Sequence, residues 1–309
     1  MRKRIIHLIK KSEMLFWIIK YIRLRLLMCI GKIITDEKYI RIQYFLRTGK
    51  KLHLNPPSLY NEKMQYFKLH CHDNIYHVLS DKSEVRKWVG ERIGTEYLNN
   101  IFGVYETEKD IPFDILPERF VLKLTNGSGF NYICLHKTEK EIKKIKFLFH
   151  MWLKLDFYML GREWVYKGIK NRIICEEYLD SGSKYGLIDY KVFCFNGIPK
   201  LIQVDFDRFA NHKRNLYTPE WKFINETIAY ENDSNAQITK PKTLDSMLNI
   251  AKQLSSGFQQ VRVDFYTFND SLFFGEMTFS HGAGYLKFGS EAFERTMGDW
   301  WEICDNSKC

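Results

Sequence analysis

The sequence predicts an α+β chain with a helical N-terminal region ahead of two strand-bearing lobes. Three observations predict it. Val261 to Tyr266 and Phe273 to Phe279 read as two strands joined across the turn Phe268-Asn-Asp-Ser271. Glu118 to Leu124 and Phe130 to Leu135 bracket a loop with two glycines, Thr125-Asn-Gly-Ser-Gly-Phe-Asn131. Helical stretches at 36–48, 59–69, 82–92, 139–155 and 242–258 precede and separate the strands.

At 309 residues the chain is long enough for two lobes and extensions. Its net charge of +10 is unevenly placed: residues 1–34 carry nine Lys or Arg against one acid, leaving a surplus of two on the other 275 residues. A nearly neutral body excludes a broad surface for a phosphate backbone, so no nucleic-acid partner is expected. The seven cysteines are scattered without a CxxC pair, which suits buried free thiols in a reducing cytoplasm.

Residues 1–34 are rich in Ile, Leu, Phe and Trp, interrupted by cations at 10, 11, 20, 23, 25 and 32. No run of 18 apolar residues free of charge is present, so a spanning helix is not predicted. Nor is a signal peptide, which needs an unbroken apolar core and a small-residue cleavage site. Two readings stay open: a basic amphipathic helix on an anionic membrane surface, and a helix packed on the body or on a second subunit.

Residues 35–115 read as mostly helical. The helix from Asp36 ends at Gly49, and Asn55-Pro-Pro-Ser58 is a break whose Ser58 caps the next helix. His70-Cys71-His72 lacks the ligand spacing of structural zinc sites and reads as a helix end. Asp81 opens the helix from Lys82 to Arg92, and Leu98 to Tyr105 is a short strand or loop. Residues 116–180 form the smaller strand lobe. Its glycine loop allows backbone N–H groups to approach a phosphate, with Lys123 adding charge, although Walker A spelling is absent. Ile173 to Leu179 is a buried strand that includes Glu176 and Glu177.

Residues 181–309 form the larger lobe. Tyr185 to Phe195 and Ile198 to Phe206 make a hairpin across Asn196-Gly197, with Asp189 and Lys191 on one face. Asp205-Phe-Asp207 has an Asp-x-Asp spelling at the hairpin end, read as a chance match. Asn211 to Asp233 reads as a loop or excursion, and Ser290 to Ile303 as a closing helix. On the strands at 261–266 and 273–279, Arg262 and Asp264 share one face, as do Glu276 and Thr278. In register, Asp264 meets Glu276 with Arg262 beside them. Paired carboxylates repel unless a cation joins them, and their oxygens suit Mg²⁺; the alternative is a solvated hairpin face.

Taken in order over about residues 58–290, these motifs resemble the ATP-grasp superfamily. The resemblance implies an ATP-grasp fold, two α+β subdomains gripping a nucleotide, with ATP and Mg²⁺ as cofactors. It assigns nucleotide contacts to Lys82, to Lys123 with Gly127-Ser128-Gly129, to Glu176-Glu177-Tyr178-Leu179 and to Asp189, and metal contacts to Asp264, Glu276 and Thr278. Thr278 stands where many ATP-grasp enzymes carry Asn, which implies a second metal held less completely or not at all. Asn61-Glu-Lys-Met-Gln65, Ser80-Asp-Lys82 with Val85-Arg86, Asp189-Tyr-Lys191 and Gly275-Glu-Met-Thr-Phe279 ahead of Gly282-Ala-Gly284 are similar to the TupA-like branch of bacterial surface-polysaccharide loci.

That resemblance implies a carboxylate–amine ligase with an acyl-phosphate intermediate. The acceptors would be an amino acid or amine and a uronic acid or peptide carboxylate, on a polysaccharide such as capsule or O-antigen, or on its precursor. Arg262, Arg208, Lys191 and His281 are the candidate catalytic residues. Residues 1–34 would place a cytoplasmic enzyme peripherally on the inner membrane face, near lipid-linked glycan. Alternatives are a glycan phosphotransferase or glycosyltransferase-like enzyme, and a non-catalytic membrane-associated scaffold.

Overall fold

The computed structural model describes residues 13–180, 187–207, 211–236 and 238–303. Arg208, the first twelve residues of the basic segment and the start of the hairpin predicted from Tyr185 lie outside the described residues. In chain order the helices are α1 (Glu13–Gly31), α2 (Asp36–Thr48), α3 (Tyr60–His70), α4 (Ile75–Ser80), α5 (Val85–Ile93), α6 (Glu139–Trp152), α7 (Phe157–Gly161), α8 (Leu244–Ser255) and α9 (Glu291–Asp299). The strands are β1 (Ile101–Tyr105), β2 (Phe120–Leu124), β3 (Asn131–Cys134), β4 (Ile173–Glu177), β5 (Asp189–Phe195), β6 (Ile198–Phe206), β7 (Lys213–Tyr217), β8 (Phe223–Ile224), β9 (Gln260–Phe268) and β10 (Ser271–Thr278). The chain forms two compact units: residues 1–39, 100–162 and 166–178 make the smaller, and residues 40–99, 163–165 and 179–309 the larger.

The smaller unit is built on a four-stranded antiparallel sheet in the order β1-β4-β2-β3. Alternation sends Phe120, Leu122 and Leu124 of β2 to one face, where they bury with Ile145, Leu148, Phe149 and Trp152 of α6. Thr138 caps α6 by accepting the Glu141 N–H at 3.2 Å. Trp17, Tyr21, Leu24 and Met28 of α1 pack against the same core, so one side of α1 is covered by the smaller unit.

The larger unit is built on a six-stranded antiparallel sheet in the order β10-β9-β5-β6-β7-β8. Helix α8 lies against β5, β6 and β9 and buries Met247, Ile250, Ala251 and Leu254. The apolar residues Val192, Ile202, Val204, Val261, Val263 and Phe265 are all buried in this sheet. They alternate with Lys191, Gln203, Asp205, Arg262 and Asp264, which therefore share the opposite face. A separate aromatic cluster joins α3 to the end of the chain, with Trp301 5.9 Å from Tyr60 and 5.8 Å from Phe67.

Three local expectations need correction. The excursion at 211–233 contains β7 and β8, hidden because Lys213, Arg214 and Asn215 are polar; Arg214 and Asn215 are buried through side-chain hydrogen bonds. Ser58 does not cap α3. Leu59 takes that position, and the Glu62 carboxylate accepts the N–H groups of Ser58 and Leu59, each at 3.1 Å. Asp81 opens a turn rather than a helix: it accepts from Ser83 and Glu84 at 2.8 and 3.0 Å, and α5 begins only at Val85. Lys82 thus sits on that turn.

Candidate active site

In the larger unit, β9 and β10 turn at Asn269 and Asp270, both with positive φ (49° and 59°) as a two-residue hairpin requires. From that turn, strict pairing sets Phe274 opposite Phe265 and would set Glu276 opposite Val263, on the apolar side. A bulge between Phe274 and Glu276 inserts one residue, so Glu276 faces Asp264 and Thr278 faces Arg262. Gly275 occupies the bulge, and a Cβ there would lie 3.1 Å from the Asp264 carbonyl oxygen. On the other side of β9, Lys191 of β5 pairs with Asp264. One row across three strands therefore reads Glu276, Asp264, Lys191.

Arg262 clamps Asp264 with two hydrogen bonds of 2.6 Å, from Nε to Oδ1 and from Nη2 to Oδ2. The same Nη2 reaches Glu276 Oε1 and Thr278 Oγ1, each at 3.1 Å, and Thr278 donates to Glu276 Oε1 at 2.8 Å. Lys191 Nζ donates to Asp264 Oδ2 at 2.7 Å and stands 3.7 Å from Asp189. Lys82 Nζ approaches the other oxygen of Glu276, Oε2, at 3.8 Å. Asp264 is buried, whereas the Glu276 side chain keeps 33% of its exposure. Burial pushes Glu276 up, but Lys82, Arg262 and Lys191 outweigh it and hold the carboxyl at about 2. Burial raises Asp264 against the pull of Arg262 and Lys191.

This donor set suits Mg²⁺. Both groups are hard oxygen donors, and Mg²⁺ is commonly held by one or two carboxylates with phosphates and waters completing the shell. No group of three or more His, Cys, Asp or Glu that could hold a metal gathers among the described residues. Thr278 is engaged by both Glu276 and Arg262. His281 is buried and set edge-to-face on Phe193 at 4.8 Å. Burial, then Arg262, Arg214 and Lys191, push its pKa well below the usual imidazole value, so it is neutral at pH 7. Its Nδ1 and the Ser280 hydroxyl are buried without a hydrogen-bond partner. Leu179, partly buried, also belongs to the larger unit but lies outside its strands.

The smaller unit carries Lys123, the glycine loop and residues 176–178. Lys123 Nζ donates to Glu176 Oε2 at 2.7 Å. Glu177 accepts from the Asn100 side chain at 2.9 Å, and Tyr178 lies under the Arg119 guanidinium at 5.4 Å. Gly127 and Gly129 have φ of 73° and 80°, and a Cβ on Gly127 would meet the Phe157 ring at 2.7 Å. Ser128 is exposed at the loop tip. Beside the glycines, Thr125 Oγ1 and Asn126 Oδ1 are fully buried without a hydrogen-bond partner, which fits a polar ligand group at this loop.

Sequence reading missed Thr125 and Asn126, whose signal was a polar pair between an apolar strand and two glycines. It also missed Arg214 and His212, which with Gln203 enclose Asp205. Arg214 binds Asp205 at 2.6 and 3.1 Å, Gln203 donates to it at 3.0 Å, and His212 lies 3.4 Å away. Asp205 is therefore engaged inside the sheet.

A phosphate-loop candidate and a cation-sharing carboxylate hairpin are features of nucleotide-using enzymes. A family model described as TupA-like ATP-grasp matches residues 62–302. The chain belongs to the TupA-like ATP-grasp family. No curated protein matches its sequence. Among solved structures it is similar to D-alanine–D-alanine ligase from Bacillus anthracis, at 16% identity and a TM-score of 0.38, over 65% of this chain and 57% of that one. The same ligase complexed with ATP gives 11% identity and a TM-score of 0.41, over 79% and 68% of the two chains. The ligase PsnB with its minimal precursor gives 8% and 0.39, over 74% and 63%. The chain spans little more than half the length of the first of these structures.

Proposed function

We propose that the protein is an ATP-dependent carboxylate–amine ligase that modifies a cell-surface polysaccharide or its precursor, joining an amino acid or amine to a uronic acid or peptide carboxylate. The observation that carries this reading is the bulged hairpin, which sets Glu276 against Asp264 under Arg262 within a chain of the TupA-like ATP-grasp family. In the reaction, a carboxylate oxygen takes the γ-phosphoryl group and ADP leaves; the amine nitrogen then displaces phosphate and forms the amide.

Asp264 and Glu276 are the residues that would hold Mg²⁺, which when bound neutralises charge on the phosphates during transfer. Lys82 and Lys191 of the larger unit offset remaining phosphate charge; for Lys123 and the amides of residues 127–129 in the smaller unit, a phosphate contact is what the family resemblance implies. Glu176 to Leu179 contact the nucleoside by family resemblance, and Asp189 stands beside Lys191. Arg262, fixed by its two bonds to Asp264, is the residue that would stabilise the negative charge developing on the acyl oxygen. His281, neutral and buried, is suited to orienting an acceptor or receiving a proton from the amine.

The test is release of ADP and phosphate that depends on both an amine and a carboxylate acceptor, paired with composition analysis of surface polysaccharide from cells carrying Glu276→Ala. Amide-linked substituent lost with the variant supports the ligase. Stable phosphate or sugar on the product, with no amide, replaces it with a transferase. ATP bound with no ADP formed across acceptors removes the ligase assignment.

A further inference from the structure

Helix α1 is apolar on two opposite sides. Trp17, Ile18, Tyr21, Leu24 and Met28 turn toward the core of the smaller unit. Ile19, Ile22, Leu26 and Ile30 recur at spacings of three and four, with Ile33 just past the helix end, and are 42%, 53%, 60%, 50% and 88% exposed. At helical periodicity the four lie within a sector of about 80°, away from the packed side. An apolar stripe of this kind on a surface marks an interaction site.

What it fits is set by its rim. Arg23 and Arg25 are exposed and flank the stripe on either side by the same periodicity, Arg25 also donating to the Lys154 carbonyl at 3.2 Å. Residues 1–34 hold eight of the chain's ten surplus positive charges. A second copy of the chain would bring the same cations against these and repel. An anionic lipid surface supplies both halves of the match, acyl chains for the isoleucines and phosphates for the arginines. No described helix is long and apolar enough to cross a membrane.

We propose that the outer face of α1 lies in the headgroup layer of an anionic phospholipid bilayer, with Ile19, Ile22, Leu26 and Ile30 entering the acyl boundary and Arg23 and Arg25 at the phosphates. The proposal is independent of the nucleotide assignment. Full-length protein is floated with vesicles of phosphatidylcholine alone or mixed with phosphatidylglycerol, at low and high salt, and its thermal unfolding is recorded. Flotation is expected with the anionic mixture, weakening as salt rises. Ile22→Asp/Leu26→Asp/Ile30→Asp should lower lipid partitioning about tenfold or more with thermal unfolding unchanged, because these side chains face away from the core. Ile22→Ser/Leu26→Ser, which adds no charge, should give a smaller drop in the same direction. Equal flotation of wild type and the triple variant overturns the proposal, as does failure of wild type to float with anionic vesicles. A wild-type dimer that the triple variant disperses, without lipid binding, assigns the face to self-association instead.

Discussion

Two buried aspartates share one face of the six-stranded sheet and are handled in opposite ways. Asp205 is 1% exposed, and one guanidinium, Arg214, takes both its oxygens while Gln203 and His212 close the remainder. Its pKa is held far below the usual range because those contacts outweigh its burial. Asp264 is also clamped by a single guanidinium, but that arginine is shared with Glu276 and Thr278, and Lys191 is shared with Asp189. Glu276 is one-third exposed, and its Oε2 stands 3.8 Å from Lys82. A closed pair spends its charge on holding strands together. A shared set keeps an edge open to another cation. Paired carboxylates alone therefore do not mark a site; the division of cations among them does.

The largest effect that sharpens this contrast is Asp205→Ala, which strands the Arg214 guanidinium and should cost about 3–5 kcal/mol of folding stability by denaturant titration. Were that variant instead to lose nucleotide binding at unchanged stability, the contrast would break. Glu276→Gln should act the other way round. Its Mg²⁺-dependent ADP affinity should fall about tenfold to a hundredfold by calorimetry, with a stability loss smaller than that of Asp205→Ala. Gly275→Ala crowds the Asp264 carbonyl at the bulge; about 1 kcal/mol of stability should be lost, and ADP affinity should drop with it if the bulge sets the register. Thr278→Asn restores the amide of the family pattern, and the Mg²⁺ concentration for half-saturation should fall a few-fold; a rise would show that Thr278 serves Arg262 alone. The smallest effect is on pH dependence. Glu276 sits at about 2, below its ordinary 4.5, so its ion pairs stabilise the fold above pH 4.5 and that contribution fades as pH falls toward 2. Glu276→Gln should flatten the acid limb of a stability–pH curve over that range.

The strands at 261–266 and 273–279 were legible because alternation is a local property. The meeting of Asp264 with Glu276 was legible as well, but the bulge that produces it was not, since counting back from the Asn269-Asp270 turn puts Glu276 on the other face unless Gly275 is read as a bulge. The glycine loop and Lys123 were legible from composition, and the polar orphans beside them only from burial. Strand β7 escaped because its buried arginine is explained by a partner nine residues earlier, Asp205, and residue type alone does not announce such a pair. For the basic segment, sequence left two readings open; the structure packs one side of α1 and leaves the other in solvent.

The shared charge set also has a thermodynamic consequence. Asp189, Asp264 and Glu276 face Lys82, Lys191 and Arg262, so three acids balance three bases. A lone divalent cation gains little from a neutral cluster, and a lone polyphosphate meets its carboxylates. Arriving together, each offsets the charge the other brings. Metal and nucleotide should then tighten one another's binding by the same factor, a reciprocity that calorimetric titration of each ligand with and without the other would measure.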